Sequence, residues 1–134
     1  MKTPNVIIIG DFLKDLDDEH TICLAAKLHR DGVINLACVV GNLKPAELRA
    51  RGAKGTLKCL GLPDIPVGVG SVVYDGKPYP YEAEVPYLAD ASEVVVDGLS
   101  LMKDTLANYA DKSVILILQS GLTDGGYLFG SNPT

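Results

Sequence analysis

Val6-Ile7-Ile8-Ile9-Gly10-Asp11-Phe12-Leu13-Lys14-Asp15-Leu16-Asp17-Asp18-Glu19-His20 is the stretch on which the chain is organised. Four β-branched residues in a row read as a strand buried on both faces. Five carboxylates follow within the nine positions from Asp11 to Glu19. Clustered carboxylates repel one another, and each resists leaving water. A chain tolerates them at the mouth of a sheet when something positive sits there, and a hard cation with oxygen ligands suits the chemistry. The other reading is an acidic, solvated loop whose Asp15 caps the following helix, since acidic helix N-termini are common.

Working outward, the same strand–helix alternation repeats. Strand Asn5–Gly10 leads to a helix from about Asp17 to Arg30, with Ile22, Ala25, Ala26 and His29 on one face and Leu24 and Leu28 beside it. Asp31-Gly32 supplies its stop. A second strand, Ile34–Val40, ends in Gly41-Asn42, and a second helix begins near Pro45. Its stripe is Ala46, Ala50, Ala53, Leu57 and Leu60, closed by Gly61. A third strand is expected over Ile65–Val69. Periodicity then fails from Val72 to Ala89, a proline- and tyrosine-rich loop (Tyr74, Pro78, Tyr79, Pro80, Tyr81, Pro86, Tyr87). Asp90-Ala91-Ser92-Glu93 resembles a capping box opening a third helix, with Val95, Leu99, Met102, Leu106 and Tyr109 on its stripe. Strand Ser113–Leu118 runs into the turn Gln119–Asp124, and a fourth helix would begin about where the chain stops at Thr134.

Four βα units with right-handed crossovers predict an α/β fold: an open, mostly parallel, Rossmann-like sheet with helices on both faces, in one domain over residues 1–134. Ligands of such sheets bind beyond the carboxyl ends of the strands. Those ends are the Asp11–Asp18 stretch, Gly41-Asn42, Gly70-Ser71 and Gln119–Asp124.

Composition narrows the partners. A net charge of −5 without a basic cluster argues against nucleic acid. No apolar run approaches the ~20 residues of a membrane span, and no signal-peptide pattern opens the chain, so a cytoplasmic location is expected. Cys23, Cys38 and Cys59 fit no zinc spacing and read as buried thiols of a reducing compartment. His20 and His29 read as structural, and Met102 as core filler.

Several α/β families fail at these strand ends. There is no G-x-G-x-x-G after strand 1, no P-loop, no acid at the end of strand 3 for a receiver domain, and no acid at Leu13 for a D-x-D phosphotransferase. Ser120 lies outside any G-x-S-x-G. What remains resembles the inosine/uridine-preferring nucleoside hydrolase family, whose pattern is D-x-D-P-G-x-D-D, an apolar helix, and a strand ending V-V-G-N. Here stand Asp11-Phe12-Leu13-Lys14-Asp15-Leu16-Asp17-Asp18 and Val39-Val40-Gly41-Asn42, with Ser120-Gly121-Leu122-Thr123-Asp124 for the family's G-x-L-T-N. Leu62 to Gly70 is similar as well. The variant acidic motif looks like a divergent branch that includes nucleoside-hydrolase-like effector proteins.

The resemblance implies hydrolysis of an N-ribosyl bond by a Ca²⁺-bound water, through an oxocarbenium-like transition state. By position it makes Asp18 and Asp11 metal carboxylates, with the Gln119 backbone carbonyl completing part of the shell. Asp17 and Asn42 become ribose contacts. Two departures stand out. The family's second acid, both metal ligand and base, aligns with Leu13, so Asp11 or Asp15 would have to stand in for it. Family members are also more than twice as long, and their distal half carries further ligands and the leaving-group acid. The expectation is therefore an incomplete nucleoside-hydrolase-like domain with a degenerate, possibly silent site, which takes a ribonucleoside or related ribosyl ligand. The alternative is a non-catalytic binder of ribosyl ligands or of protein that forms homo-oligomers through its exposed sheet, or else pairs with a missing C-terminal half.

Overall fold

The computed structural model describes residues 2–72 and 85–130. Strand β1 (Asn5–Gly10) is buried at every position. Val6 and Ile8 point into one apolar cluster, Ile7 and Ile9 into another. That two-sided burial is why the strand is a continuous run instead of an alternation.

Helices α1 (Leu16–Arg30) and α2 (Ala46–Cys59) cover the first face through Ile22, Ala25, Ala50, Ala53 and Leu57. Helices α3 (Gly98–Ala107) and α4 (Thr123–Gly130) cover the second through Met102 and Leu128. Between them run β2 (Asn35–Gly41), β3 (Val67–Val69) and β4 (Val114–Leu118). The sheet is wholly parallel, in the order β3-β2-β1-β4. The predicted α/β class with helices on both faces is thus the observed one. The strand order reverses between β1 and β4, which marks the crevice where such sheets bind ligands.

Gly32 and Gly61 end α1 and α2 at φ of 73° and 77°, as their stop positions require. His29 accepts a hydrogen bond at Nδ1 from the Leu36 amide at 3.0 Å, so it serves the α1–β2 turn, and His20 is exposed. No helix among the described residues is long and apolar enough to cross a membrane.

Several expectations are corrected. The third helix does not begin at Asp90. The capping box is present, but it caps a single 3₁₀ turn, Ala91–Glu93, where Glu93 Oε2 accepts from the Asp90 amide at 2.9 Å. Val95 then leaves the helix and pairs with the outer edge of β3: its amide donates to Val67 O and its carbonyl accepts from Val69 N, each at 2.8 Å. Backbone ladder bonds to an open edge outweigh helix propensity in a β-branched run. Helix α3 starts instead at Gly98, where Asp97 Oδ1 accepts from the Ser100 amide at 2.9 Å. Tyr109 lies beyond that helix and accepts a hydrogen bond from Asn35 Nδ2 at 2.9 Å. A fourth helix does form within the chain, seated by Leu128. Finally, Cys23 and Cys59 are exposed, and only Cys38 is buried. Each exposed thiol lies one or two residues past a buried neighbour, Ile22 and Leu57, and so turns out of the core stripe. The part of the proline- and tyrosine-rich loop from 73 to 84 lies outside the described residues.

Among the described residues, strand β4 pairs only with β1, and its Ile115 and Leu118 are exposed.

Candidate functional site

The site is assembled from four strand ends. β1 stops at Gly10, and the chain turns through Asp11, Phe12 and Leu13 into α1. Leu13 takes a φ of 71°, the left-handed region that side-chain-bearing residues rarely adopt. The turn lays its side chain on α2 at Gly52, where an added Cβ would approach it to 2.6 Å. Leu13 therefore packs with the core between sheet and helices. The position that the resemblance assigns to the missing acid is occupied by packing.

Arg49 holds this turn in place. It is 2% exposed, and Nη1 donates to the carbonyls of Asp11 at 3.1 Å and Phe12 at 2.9 Å, while Nη2 donates to Lys44 O at 3.0 Å. A guanidinium has the fork geometry to gather several carbonyls at once.

Asp11 and Asp18 are both buried at the end of β1. Asp18 comes from the first turn of α1, where the positive end of the helix dipole favours an acid. Its Oδ1 lies over Gly10: a Cβ there would stand 2.4 Å from that oxygen, so glycine is what lets the carboxylate close onto the strand. The same Oδ1 is buried and has no hydrogen-bond partner among the described residues. Burial first, then the charges of Asp11 and Asp17, push the Asp18 carboxyl up to about 7, although the Asp11 amide donates to it. Burial also raises Asp11, against the pull of Lys14, whose Nζ is 3.6 Å away, and of Arg49. Asp17 is exposed at the rim. Asp15 occupies the N-cap position of α1, is exposed, and makes no side-chain cap bond.

Gln119 extends β4 beside β1, its amide donating to Ile9 O at 3.0 Å. Nε2 donates to Thr21 Oγ1 at 2.7 Å, and the buried Oε1 has no partner among the described residues. Two orphaned oxygens, on Asp18 and Gln119, thus flank the β1–β4 crevice.

On the other side stands a hub. Asn42 is fully buried and donates through Nδ2 to Asp124 Oδ2 at 2.6 Å and to Gly121 O at 3.2 Å. Its Oδ1 accepts from Ser120 Oγ. Asp124, 2% exposed, also accepts from the amide and hydroxyl of Ser71, both at 2.8 Å. Gly70 permits the approach, since a Cβ there would stand 2.7 Å from the Asn42 Cβ. A cleft of about 270 Å³ opens beside the hub, between Gly70, Ser71, Asp97 and Tyr127.

The predicted residues therefore fall into two groups: Asp11, Asp17, Asp18 and Gln119 around the end of β1, and Asn42 bound into the hub, both of its amide atoms engaged. Thr21 and Arg49 join the site without a sequence expectation, and Ser71 and Asp124, marked only as parts of strand-end turns, prove to be its anchors. Arg49 had a readable signal, since it lies three residues after Ala46 on the buried stripe of α2. Ser71 and Asp124 lay in turns already marked as strand ends, but their contact spans 53 residues of chain and leaves no local trace.

The donors do not make a complete calcium site. Calcium takes about six to eight oxygens. Asp11 and Asp18 supply two carboxylates of the right kind, and the orphaned Oδ1 suits a cation. Among the described residues, however, no group of three or more His, Cys, Asp or Glu side chains is placed to hold a metal.

No family model and no curated protein matches the chain. Solved structures do. The chain is similar to the type III effector protein XopQ, whose structure was determined in complex with adenosine diphosphate ribose, at 28% identity and a TM-score of 0.79 over 96% of this chain. It is similar to the effector protein XOO4466 at 28% identity and a TM-score of 0.80, again over 96%. It spans 39% of the length of each. The expected nucleoside-hydrolase-like architecture is the one these neighbours share.

Proposed function

We propose that the chain binds a ribosyl ligand of the nucleoside or ADP-ribose class at the carboxyl edge of its sheet. The observation that carries this reading is the Asp18 carboxylate: buried over Gly10 at the β1–β4 crevice, with one oxygen unpartnered among the described residues and the exposed Asp17 beside it. Sugar hydroxyls are donors that would satisfy such oxygens. The likeness to XopQ, a protein solved with ADP-ribose, supports the same ligand class.

Hydrolysis of the N-ribosyl bond is the finer form of the proposal. A carboxyl near 7 is matched to proton transfer at neutral pH, so Asp18 can take a proton from a ligand hydroxyl or a water and return it. Leu13 offers no second base. Turnover by this chain is accordingly weak or absent. The assay is base release from inosine, uridine and a chromogenic riboside, with and without Ca²⁺, and it also reads base preference. Slow or undetectable release is expected; rapid Ca²⁺-dependent release would show that the strand ends do hold a full metal shell.

One observation favours a second reading, a binding domain that self-associates. Beside the edge of β4 that no described strand pairs with, Ile115 and Ile117 meet Leu24, Leu28 and Ile34 in an apolar groove. Sedimentation at micromolar concentration tests it: a dimer supports association through this face, and a monomer removes it.

A further inference from the structure

A second cluster lies away from the strand ends, between α1 and α2. The two helices sit side by side on one face of the sheet and run in the same direction, as successive right-handed crossovers require. Thr56 Oγ1 donates to Glu19 Oε2 at 3.0 Å, which fixes their mutual register. One turn further along, four residues after Glu19 and three after Thr56, stand Cys23 and Cys59. Both thiols are exposed. Both line a single groove of about 310 Å³, whose other walls include Leu16, Leu60 and Tyr87. Side-by-side helix axes lie about 8–10 Å apart, and a disulfide spans Cα atoms up to roughly 7 Å apart. The third thiol is separate: Cys38 is buried in β2, and burial pushes it up to about 11.

We infer that Cys23 and Cys59 are a redox-responsive thiol pair that closes to an intramolecular disulfide across the α1–α2 groove. The co-reactant is a low-molecular-weight disulfide of the glutathione class. One protein thiolate attacks a sulfur of that disulfide, its S–S bond breaks, and one thiolate leaves, giving a mixed disulfide. The other cysteine, as thiolate, attacks the protein sulfur of the mixed disulfide and expels the second thiolate. The two protons lost by the protein thiols end on the two departing thiols, and two electrons pass from protein to oxidant. The bond joins α1, whose first turn carries Asp17 and Asp18, to α2, whose Arg49 holds the Asp11 turn. Oxidation therefore tethers the two helices that shape the strand-end site, whatever ligand that site takes.

The test is peptide mapping without reduction after the whole reduced chain is equilibrated with glutathione disulfide. The expected result is a protein lighter by two hydrogens, one peptide linking Cys23 to Cys59, and Cys38 alkylated only after unfolding. Cys23→Ser and Cys59→Ser should each carry one glutathione on the remaining surface cysteine instead. Wild-type protein with separate glutathione adducts on Cys23 and Cys59, or with these cysteines joined between two chains, would overturn the inference.

Discussion

Asn42 Nδ2 and Asp124 Oδ2 lie 2.6 Å apart, both side chains buried, across 82 residues of chain. With Ser71 donating to the same carboxylate, the ends of β2 and β3 and the start of α4 meet on one acceptor. The carboxyl edge of the sheet is therefore a fixed surface.

Replacing that acceptor should be expensive. Asp124→Ala strands the Asn42 amide and the Ser71 amide and hydroxyl, and a buried unsatisfied donor costs about 1–3 kcal/mol. A loss of about 2–4 kcal/mol is expected in urea unfolding, as a lower midpoint with an unchanged slope. A change below about 0.5 kcal/mol would mean that the hub is decorative.

The Asp18 carboxyl makes stability depend on pH. Its folded value of about 7 stands above the ordinary 3.8, so the folded chain keeps a proton that the unfolded chain has lost. Stability from this group is therefore highest below about pH 4, falls as pH rises to about 7, and is level above. Asp11, also raised, acts in the same direction. Asp18→Asn removes the cost of the buried charge. It should be more stable than wild type by ~2 kcal/mol at about pH 8, and the difference should fade toward pH 4. Parallel profiles for the two proteins would rule out the buried charge.

Gly10→Ala tests the cradle. Its Cβ would meet Asp18 Oδ1 at 2.4 Å and the Phe12 ring at 2.8 Å. Overpacking of this kind costs about 1–3 kcal/mol. Ribosyl-ligand affinity should fall with stability. A variant that keeps wild-type affinity would show that the carboxylate needs no such seat.

Arg49→Met leaves three gathered carbonyls without their donor. A buried acceptor left without its donor costs about 1–3 kcal/mol. The expected signature beyond instability is faster amide exchange over the Asp11–Leu13 turn than elsewhere in the sheet. Uniform exchange would mean that Arg49 supports the fold but not the turn.

Much of this was legible in the chain. Val6–Ile9 announced a two-sided strand, the stripe Ala46–Leu57 a core helix, and Gly32 and Gly61 their stops, because period and turn chemistry are local. Asp11, Asp18 and Gln119 could be brought to one crevice once the parallel order was assumed. Val95 departs from its helical period because its choice of partner, β3 instead of α3, is decided by a long-range ladder. The exposure of Cys23 and Cys59 has no compositional signal, because composition says nothing about which side of a helix a small apolar residue takes. The Asp124–Ser71 contact needed the folded sheet, and the Leu13 side chain could be placed only when its positive φ was known.

Calorimetric titration with ADP-ribose, with and without Ca²⁺, is the most direct test of the ribosyl site. Saturable binding is predicted for the wild-type chain, weakened at least about tenfold, or ~1.4 kcal/mol, in Asp17→Asn and in Asp18→Asn. No binding at ~1 mM ligand, or equal affinity in wild type and the Asp17→Asn/Asp18→Asn double variant, would contradict it.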